Sequence, residues 1–175
     1  AAMTTDQAAV RFNAVGTVTI VTGTLDYGQG HASAFAQVLV EKLGIPFDRI
    51  RLLQGDSDEL VTGGGTGGSR SAMMSGTAIV QASAKVIENG KQIAAHVLEA
   101  SAGDIEFRNG RFVIAGTDRA IGIMELAERL HGGMKLPEGL PSTLDVTHVT
   151  EQVPGTYPNG VHVAEVEIEP DTGLT

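Results

Sequence analysis

Two glycine-rich loops constrain this chain most, because each lies between a strand pattern and a helix pattern. The first reads Gly28-Gln29-Gly30-His31, and the second spans residues 63–71. Glycine allows the backbone to turn its amides toward a ligand, and the N-terminus of a helix favours negative charge. Together the loops predict a site for a large polyanionic ligand with hydrogen-bonding edges, such as a nucleotide-like cofactor.

Neither loop matches the common phosphate motifs. The chain has no G-x-x-x-x-G-K-[ST] segment, and its glycine-rich run lacks an acidic residue at the spacing of a dinucleotide fingerprint. These absences argue against a P-loop NTPase and an ordinary Rossmann dehydrogenase. Each loop taken by itself is also compatible with a plain turn or helix cap.

Hydrophobic periodicity predicts an α+β fold, with a mixed sheet and helices packed on one of its faces. The predicted strands cover residues 8–12, 17–22, 49–54, 105–107, 112–114, 144–151 and 161–169. The predicted helices cover residues 32–43, 71–102 and 121–131. Asn109-Gly110 predicts a type I′ hairpin, Asn89-Gly90 is a candidate break or bend in the long helix, and Gly103 is its expected end.

Several segments also resemble one known family, and they occur in that family's order. They are residues 21–31 with their GQGH motif, Gly55-Asp56, residues 65–71 (GTGGSRS) and residues 157–167 (YPNGVHVAEVE). The chain therefore resembles the molybdenum-binding large subunit of the xanthine oxidase family, which includes xanthine dehydrogenases, aldehyde oxidoreductases and aerobic carbon monoxide dehydrogenases.

The resemblance implies binding of molybdopterin, usually as a cytosine dinucleotide in bacterial members. It implies that the Gln29 amide faces the pterin and dithiolene end near molybdenum. Ser33 stands where the family often has threonine, so a hydroxyl is kept. The cofactor-binding residues implied in this way are Gly28, Gln29, Gly30, His31, Ser33, Gly67, Gly68, Ser69, Arg70 and Ser71.

The resemblance also implies that the chain is an internal piece of a larger subunit. The family's catalytic glutamate would follow residue 175, and its substrate-side loop would precede residue 1. Residues 1–175 are then part of a molybdopterin-binding domain, as a single domain or two small lobes, with no catalytic residue and no activity of their own. The expected partners are the rest of the large subunit and flavin and iron–sulfur subunits or domains. The substrate stays open among aldehydes, heteroaromatic compounds, purines and carbon monoxide.

Composition narrows the partners and the chemistry. A net charge of −9 argues against nucleic acid and anionic membranes as partners. Without cysteine the chain offers no disulfide, thiolate nucleophile or iron–sulfur ligand. No apolar run predicts a membrane span or an export signal, so we expect a cytoplasmic protein, with a periplasmic location left open.

The remaining polar residues are also compatible with structural or solvent-exposed positions. His31 either donates to the ligand or caps its helix, and the other four histidines lack the spacing of a metal site. The acidic residues 56–59 predict a solvated turn, and Glu165, Glu167 and Glu169 predict one wet strand face. Arg70 lies at a helix N-terminus that favours anions, so we expect it to be unpaired, flexible or exposed when no cofactor is bound.

Two other functions remain compatible with the sequence. The chain could belong to a family relative that has lost catalysis and serves a structural role. It could also be an unrelated nucleotide-binding α/β module whose glycine loops match by accident.

Overall fold

A computed structural model describes residues 5–151 and 153–175 of the chain. The strands are β1 (Thr5–Phe12), β2 (Val18–Thr22), β3 (Ile50–Leu53), β4 (Ile105–Arg108), β5 (Arg111–Ile114), β6 (Ala120–Gly122) and β7 (Val146–Glu151). The α-helices are α1 (His31–Leu43), α2 (Gly76–Val97) and α3 (Ile123–His131), and a π-helical turn, Ser71–Ser75, leads into α2. The predicted α+β class with a mixed sheet is confirmed.

Four strands form the sheet that carries the first glycine loop, in the order β3-β2-β1-β7. β1 and β2 form a hairpin, in which the Asn13 amide donates to the Thr17 carbonyl over 2.8 Å. β2 and β3 are parallel, and α1 makes the crossover between them. The loop that precedes α1 therefore lies at the carboxyl end of β2, an edge where parallel strands commonly build binding sites.

The long helix α2 ends earlier than residue 102, so the predicted end at Gly103 is wrong. The chain leaves the helix at Glu99, which has a left-handed φ of 52°. The Ala100 amide donates to the Ala95 carbonyl (2.9 Å) and the Glu99 amide to the His96 carbonyl (3.3 Å). These two bonds form a Schellman cap, which usually has glycine where this chain has Glu99.

A second, three-stranded sheet has the order β4-β5-β6. Asn109 and Gly110 have φ values of 48° and 75°, which confirms the type I′ turn between β4 and β5. The prediction that the third helix begins near residue 121 is corrected by two positions, because α3 begins at Ile123. Residues 120–122 pair with β5 instead, and Ile121 lies opposite Phe112.

The two sheets and the helices share one core. Its largest fully buried side chains come from the helices and from both sheets: Phe35, Phe112, Ile20, Leu39, Leu43, Ile45, Met74, Ile79, Ile93, Ile105, Ile121 and Ile123. Asn89-Gly90 does not break α2, because the helix runs through it and buries Gly90 against the Phe112 ring. The missing side chain at Gly90 is what lets the second sheet approach the helix.

The predicted strand over residues 161–169 is wrong, since these residues have no strand partner in the described chain and their side chains are exposed. Val161 and Val163 are 88% and 89% exposed. Consequently Glu165, Glu167 and Glu169 do not share a strand face. A turn follows this segment, in which the Gly173 amide donates to the Glu169 carbonyl over 2.8 Å.

We predict opposite effects for alanine at the two α2 glycines, Gly90 and Gly76. A Cβ at Gly90 would overlap the Phe112 ring, whereas a Cβ at Gly76 meets nothing within 4 Å. Gly90→Ala should lower the free energy of unfolding by about 1–3 kcal/mol, as overpacking does. Gly76→Ala should raise it by about 0.5–1 kcal/mol, because alanine favours the helix. Urea denaturation of both variants measures this, and equal effects would contradict the packing assigned to Gly90.

Candidate functional site

The two glycine loops lie side by side because two glycines allow their backbones to touch. A Cβ added at Gly23 would lie 2.5 Å from Gly63 Cα and 2.9 Å from the Thr62 carbonyl oxygen. The Gly65 amide donates to the Gly23 carbonyl over 3.0 Å. Any larger side chain at Gly23 or Gly63 would push the loops apart.

Thr66 makes a second connection between the loops. Its hydroxyl donates to the Leu25 carbonyl (2.5 Å), accepts from the Leu25 amide (3.1 Å), and lies 3.1 Å from the Ser71 hydroxyl. Gln7, on β1, holds the segment just before the second loop, since its Oε1 accepts from the amides of Val61 (2.6 Å) and Thr62 (3.2 Å). The position of the second loop is therefore set by the sheet and by the first loop.

Asp26 organises the first loop. Its Oδ1 accepts from the amides of Gly28 and Gln29, both at 2.7 Å, and its Oδ2 accepts from the His31 amide at 2.8 Å. The backbone hydrogen bond from Gly28 is the largest influence that lowers the pKa of Asp26, and the bonds from His31 and Gln29 act in the same direction. The carboxylate thus fixes the loop backbone, and the three amides stabilise its negative charge.

His31, the first residue of α1, has only 4% of its surface exposed and stacks on Phe35, with ring centroids 4.9 Å apart. Its Nδ1 lies 3.3 Å from the side-chain nitrogen of Gln54. Its Nε2 is buried and has no hydrogen-bond partner in the part of the chain that the structure describes. A buried imidazole nitrogen without a partner is uncommon in folded proteins, so Nε2 is available to a ligand atom or to water.

Arg70 is buried, and the expectation that it is unpaired, flexible or exposed is wrong. Its exposed fraction is 4%, and its Nη2 donates to the Thr5 carbonyl over 2.7 Å. The side chain reaches past the loop to the start of β1, so it ties the second loop to the central sheet. Ser69, just before it, holds a left-handed φ of 60°, which is uncommon for a residue other than glycine.

A groove of about 410 Å³ runs between the two loops. Its walls are Gln29, His31, Ala34, Phe35, Thr66, Gly67, Ser69, Arg70, Ser71, Ala72, Met73, Thr156 and Pro158. These walls contain no carboxylate, although the chain carries a net charge of −9. α1 and the π-helical turn before α2 both start there, but the first amides of α1 already have acceptors, since His31 donates to Asp26 and both Ser33 and Ala34 donate to the Gly30 carbonyl. The walls contain one cation, several hydroxyls and no carboxylate, so the groove can accept an anion with a flat apolar part.

The structure brings most of the predicted site residues to this groove. Six of the ten line it: Gln29, His31, Gly67, Ser69, Arg70 and Ser71. Gly28, Gly30 and Gly68 lie in the same two loops, and a Cβ at any of them would meet nothing within 4 Å. Ser33 is exposed on the first turn of α1 and does not line the groove.

Sequence reasoning gave no role to three residues that shape the site, namely Asp26, Gln54 and Thr66. An aspartate two residues before a glycine is a common signal for a side-chain-capped turn, so Asp26 could have been found. Gln54 had no such signal, because its contact with His31 depends on how β3 pairs with β2.

The other polar clusters have structural roles. His131 Nε2 lies 2.6 Å from the Phe12 carbonyl oxygen, and His148 Nε2 lies 2.8 Å from Gln81 Oε1. The acidic turn at residues 56–59 is exposed, and its Glu59 pairs with Arg11. Among residues 5–151 and 153–175, no group of histidine and carboxylate side chains could hold a metal ion. Within the same ranges, no helix has the length and apolar character needed to cross a bilayer.

Comparison with known proteins identifies the family of this chain. The family model described as "Molybdopterin cofactor-binding domain" matches residues 1–175. The carbon monoxide dehydrogenase large chain of Hydrogenophaga pseudoflava is 33% identical over 97% of this chain and 21% of that protein. The nicotine 6-hydroxylase large subunit of Paenarthrobacter nicotinovorans is 34% identical, again over 97% and 21%. A crystal structure of Cu,Mo-CO dehydrogenase in its carbon monoxide reduced state superposes with a TM-score of 0.77 and 34% identity, over 83% of this chain and 18% of that one.

An α+β domain with two glycine loops around an anion-accepting groove defines a cofactor-binding module. The chain belongs to the molybdopterin cofactor-binding family of molybdenum oxidoreductases, which confirms the resemblance seen in its sequence. This result removes the unrelated nucleotide-binding module from consideration. The chain spans about a fifth of the length of the curated relatives it matches.

We predict that Asp26→Ala loosens the first loop without unfolding the domain. The amides of Gly28, Gln29 and His31 would lose their acceptor, so they should exchange their hydrogens with solvent faster. Hydrogen exchange followed by NMR measures this. The control is Asp56→Ala, which removes a similar turn outside the groove and should leave those three amides unchanged.

The same loop should respond to acid in the wild-type chain. Because the pKa of Asp26 is lowered, its contribution is present above the ordinary aspartate pKa and is lost as the pH falls through the lowered value. Exchange at the three amides, corrected for the intrinsic pH dependence, should therefore accelerate only at strongly acidic pH. Loss of protection near neutral pH would show that another group holds the loop.

Proposed function

We propose that the groove between the two loops binds molybdopterin, as its cytosine dinucleotide, for a molybdenum hydroxylase. The observation that carries this proposal is the contrast between an acidic chain and a groove whose walls contain Arg70 and the hydroxyls of Thr66, Ser69 and Ser71 but no carboxylate. Such a groove attracts an anionic ligand while the rest of the surface repels it. The family to which the chain belongs supports molybdopterin as that ligand.

The residues present fit the group. Phe35, Met73 and Ala34 provide apolar surface for a ring system, and the buried His31 Nε2 lacks a partner that a ligand oxygen could supply. The open space at Gly67 and Gly68 would let phosphate or pterin approach the backbone closely. The fit is one of shape, polarity and charge together.

We assign the wall residues the following roles. The Gln29 side chain would orient the pterin end, since its Oε1 is fixed by the Tyr27 amide and its amide group lines the groove. Ser69 and Ser71 would contact phosphate or carbonyl oxygens, and Arg70, which also donates to the Thr5 carbonyl, would contribute its positive charge beside them. When bound, the molybdenum cofactor supplies the oxidation chemistry, with water as the source of the oxygen atom. This chain would bind and orient the cofactor.

The parent activity that we propose is oxidation of an aldehyde, a heteroaromatic compound, a purine or carbon monoxide. The similarity to a carbon monoxide dehydrogenase and to a nicotine hydroxylase supports a shared cofactor segment rather than one substrate. We also propose that the parent protein has a catalytic base outside this chain, flavin and iron–sulfur partners, and a cytoplasmic location. Residues outside this chain would decide the substrate.

The experiment compares two glutamines in the complete parent protein. Gln29→Ala should reduce bound pterin, and the oxidation rate with it, by about tenfold or more, because one oriented hydrogen bond to the cofactor is lost. Stability should hardly change, since Gln29 is exposed and buries little apolar surface. The pterin released per polypeptide, measured by fluorescence, and molybdenum by mass spectrometry provide the readouts.

The matched control is Gln37→Ala, on the exposed side of α1, where the Gln37 amide only donates to the Ser33 carbonyl. It should leave pterin and molybdenum unchanged. Full cofactor content in the Gln29→Ala protein together with a lowered melting temperature would make Gln29 a structural residue. A wild-type parent that never contains pterin would favour a relative that has lost catalysis.

We also predict that the 175-residue chain by itself retains no molybdenum and oxidises no substrate. The groove is open to solvent, and in the carbon monoxide dehydrogenase large chain the matching segment is only 21% of that protein. A partial site loses the positioning on which tight binding and catalysis depend. Molybdenum analysis of the purified chain and an aldehyde or purine oxidation assay test this, and stoichiometric metal with turnover would contradict it.

A further inference from the structure

A chain of hydrogen-bonded side chains runs from the central sheet to the groove. It begins at Asp6 on β1 and passes through Ser75, Thr24 and Gln54 to His31. Four of these five residues are buried, with exposed fractions of 4% or less, and Gln54 is half-buried. Polar groups so deep in a protein adopt fixed donor and acceptor roles, because an unpaired one is costly.

The carboxylate end sets the direction of every bond in this chain. Asp6 Oδ2 accepts from the Ser75 hydroxyl over 2.7 Å, so Ser75 has used its only hydrogen. The Thr24 hydroxyl, 3.0 Å from the Ser75 oxygen, must then donate to it. The oxygen of Thr24 is left as an acceptor for the next member of the chain.

Gln54 must consequently present its amide nitrogen, not its oxygen, to this cluster. That nitrogen lies 2.7 Å from Thr22 Oγ1, 3.1 Å from Thr24 Oγ1 and 3.3 Å from His31 Nδ1. This nitrogen has two hydrogens for three neighbours and cannot accept, so a hydrogen on His31 Nδ1 would find no acceptor there and Nδ1 takes the acceptor role. A neutral imidazole that accepts at Nδ1 carries its hydrogen at Nε2.

We infer that Gln54 is a positioning residue that fixes the tautomer of His31, so that Nε2–H donates to an oxygen of the ligand in the groove. The inference rests on the proposed function for the identity of the ligand, whereas the tautomer itself follows from this chain's own contacts. Nε2 is buried and has no partner among the described residues, and its ring lies on the groove wall. The ligand atom opposite it is a carbonyl or anionic oxygen.

The test reads the tautomer directly, by long-range proton–nitrogen NMR of the histidine rings in the 175-residue chain and of a histidine-labelled parent protein. The pH is chosen so that the imidazoles are neutral. Wild-type His31 should show a protonated Nε2 and an unprotonated Nδ1. This measurement needs no substitution, so it decides the tautomer even if a variant does not fold.

Gln54→Glu tests the positioning role, because the introduced carboxylate can only accept. It should transfer the hydrogen of His31 from Nε2 to Nδ1. Gln81→Glu is the matched control: Gln81 already presents its oxygen to His148 Nε2, so a carboxylate there should leave that tautomer unchanged. If Gln54 had only a structural role, Gln54→Glu would not move the hydrogen of the His31 ring while Gln81→Glu left that of the His148 ring in place.

In the parent protein, Gln54→Glu should lower bound pterin about tenfold, the effect expected for one lost buried hydrogen bond, while Gln81→Glu should not. Wild-type His31 with its hydrogen on Nδ1, or no change in its tautomer with Gln54→Glu, would overturn the inference even if pterin is present. If wild-type His31 has its hydrogen on Nε2 and Gln54→Glu moves it to Nδ1, but the wild-type parent contains no pterin, the positioning role is supported and the proposed function is contradicted.

Discussion

The contact between Gly23 and Gly63 determines where the functional groups of this domain can lie. With no side chain at either position, the backbone after β2 touches the backbone that leads to α2, and the Gly65 amide bonds to Gly23. Thr66 and Gln7 then secure the second loop to the first loop and to β1. Gln29 and His31 face Ser69 and Ser71 across one groove as a result of this approach.

The charged side chains near the loops are also arranged so that no carboxylate lines the groove. The chain as a whole is acidic, yet the carboxylates closest to the loops are occupied by backbone or side-chain donors. Asp26 accepts from three amides of its own loop, and Asp6 accepts from the Gln7 amide and the Ser75 hydroxyl. These two carboxylates accept hydrogen bonds from groups inside the fold. The groove walls, by contrast, contain hydroxyl donors and no carboxylate. His31 is linked to both carboxylates. Its backbone amide donates to Asp26, and a series of hydrogen-bonded side chains connects its ring to Asp6.

Much of this fold and of its site could be predicted from sequence, because local signals carry it. The loops, the Asn109-Gly110 turn and the start of α1 depend on residues that are neighbours in the chain. The errors fall where distant contacts decide. Residues 120–122 became a strand because β5 offered an edge, and residues 161–169 found no strand to pair with in the described chain. Arg70 is buried because β1 provides a carbonyl at its side, which no local pattern could indicate.

We propose that the groove between the loops holds molybdopterin through the donors of this chain. A crystal or cryo-electron microscopy structure of the complete parent protein, purified with its cofactor, tests this most directly. We expect cofactor density in the groove, with an oxygen within hydrogen-bonding distance of His31 Nε2 and the pterin beside Gln29. Cofactor density elsewhere in the protein, with His31 Nε2 bonded to another protein group, would contradict it.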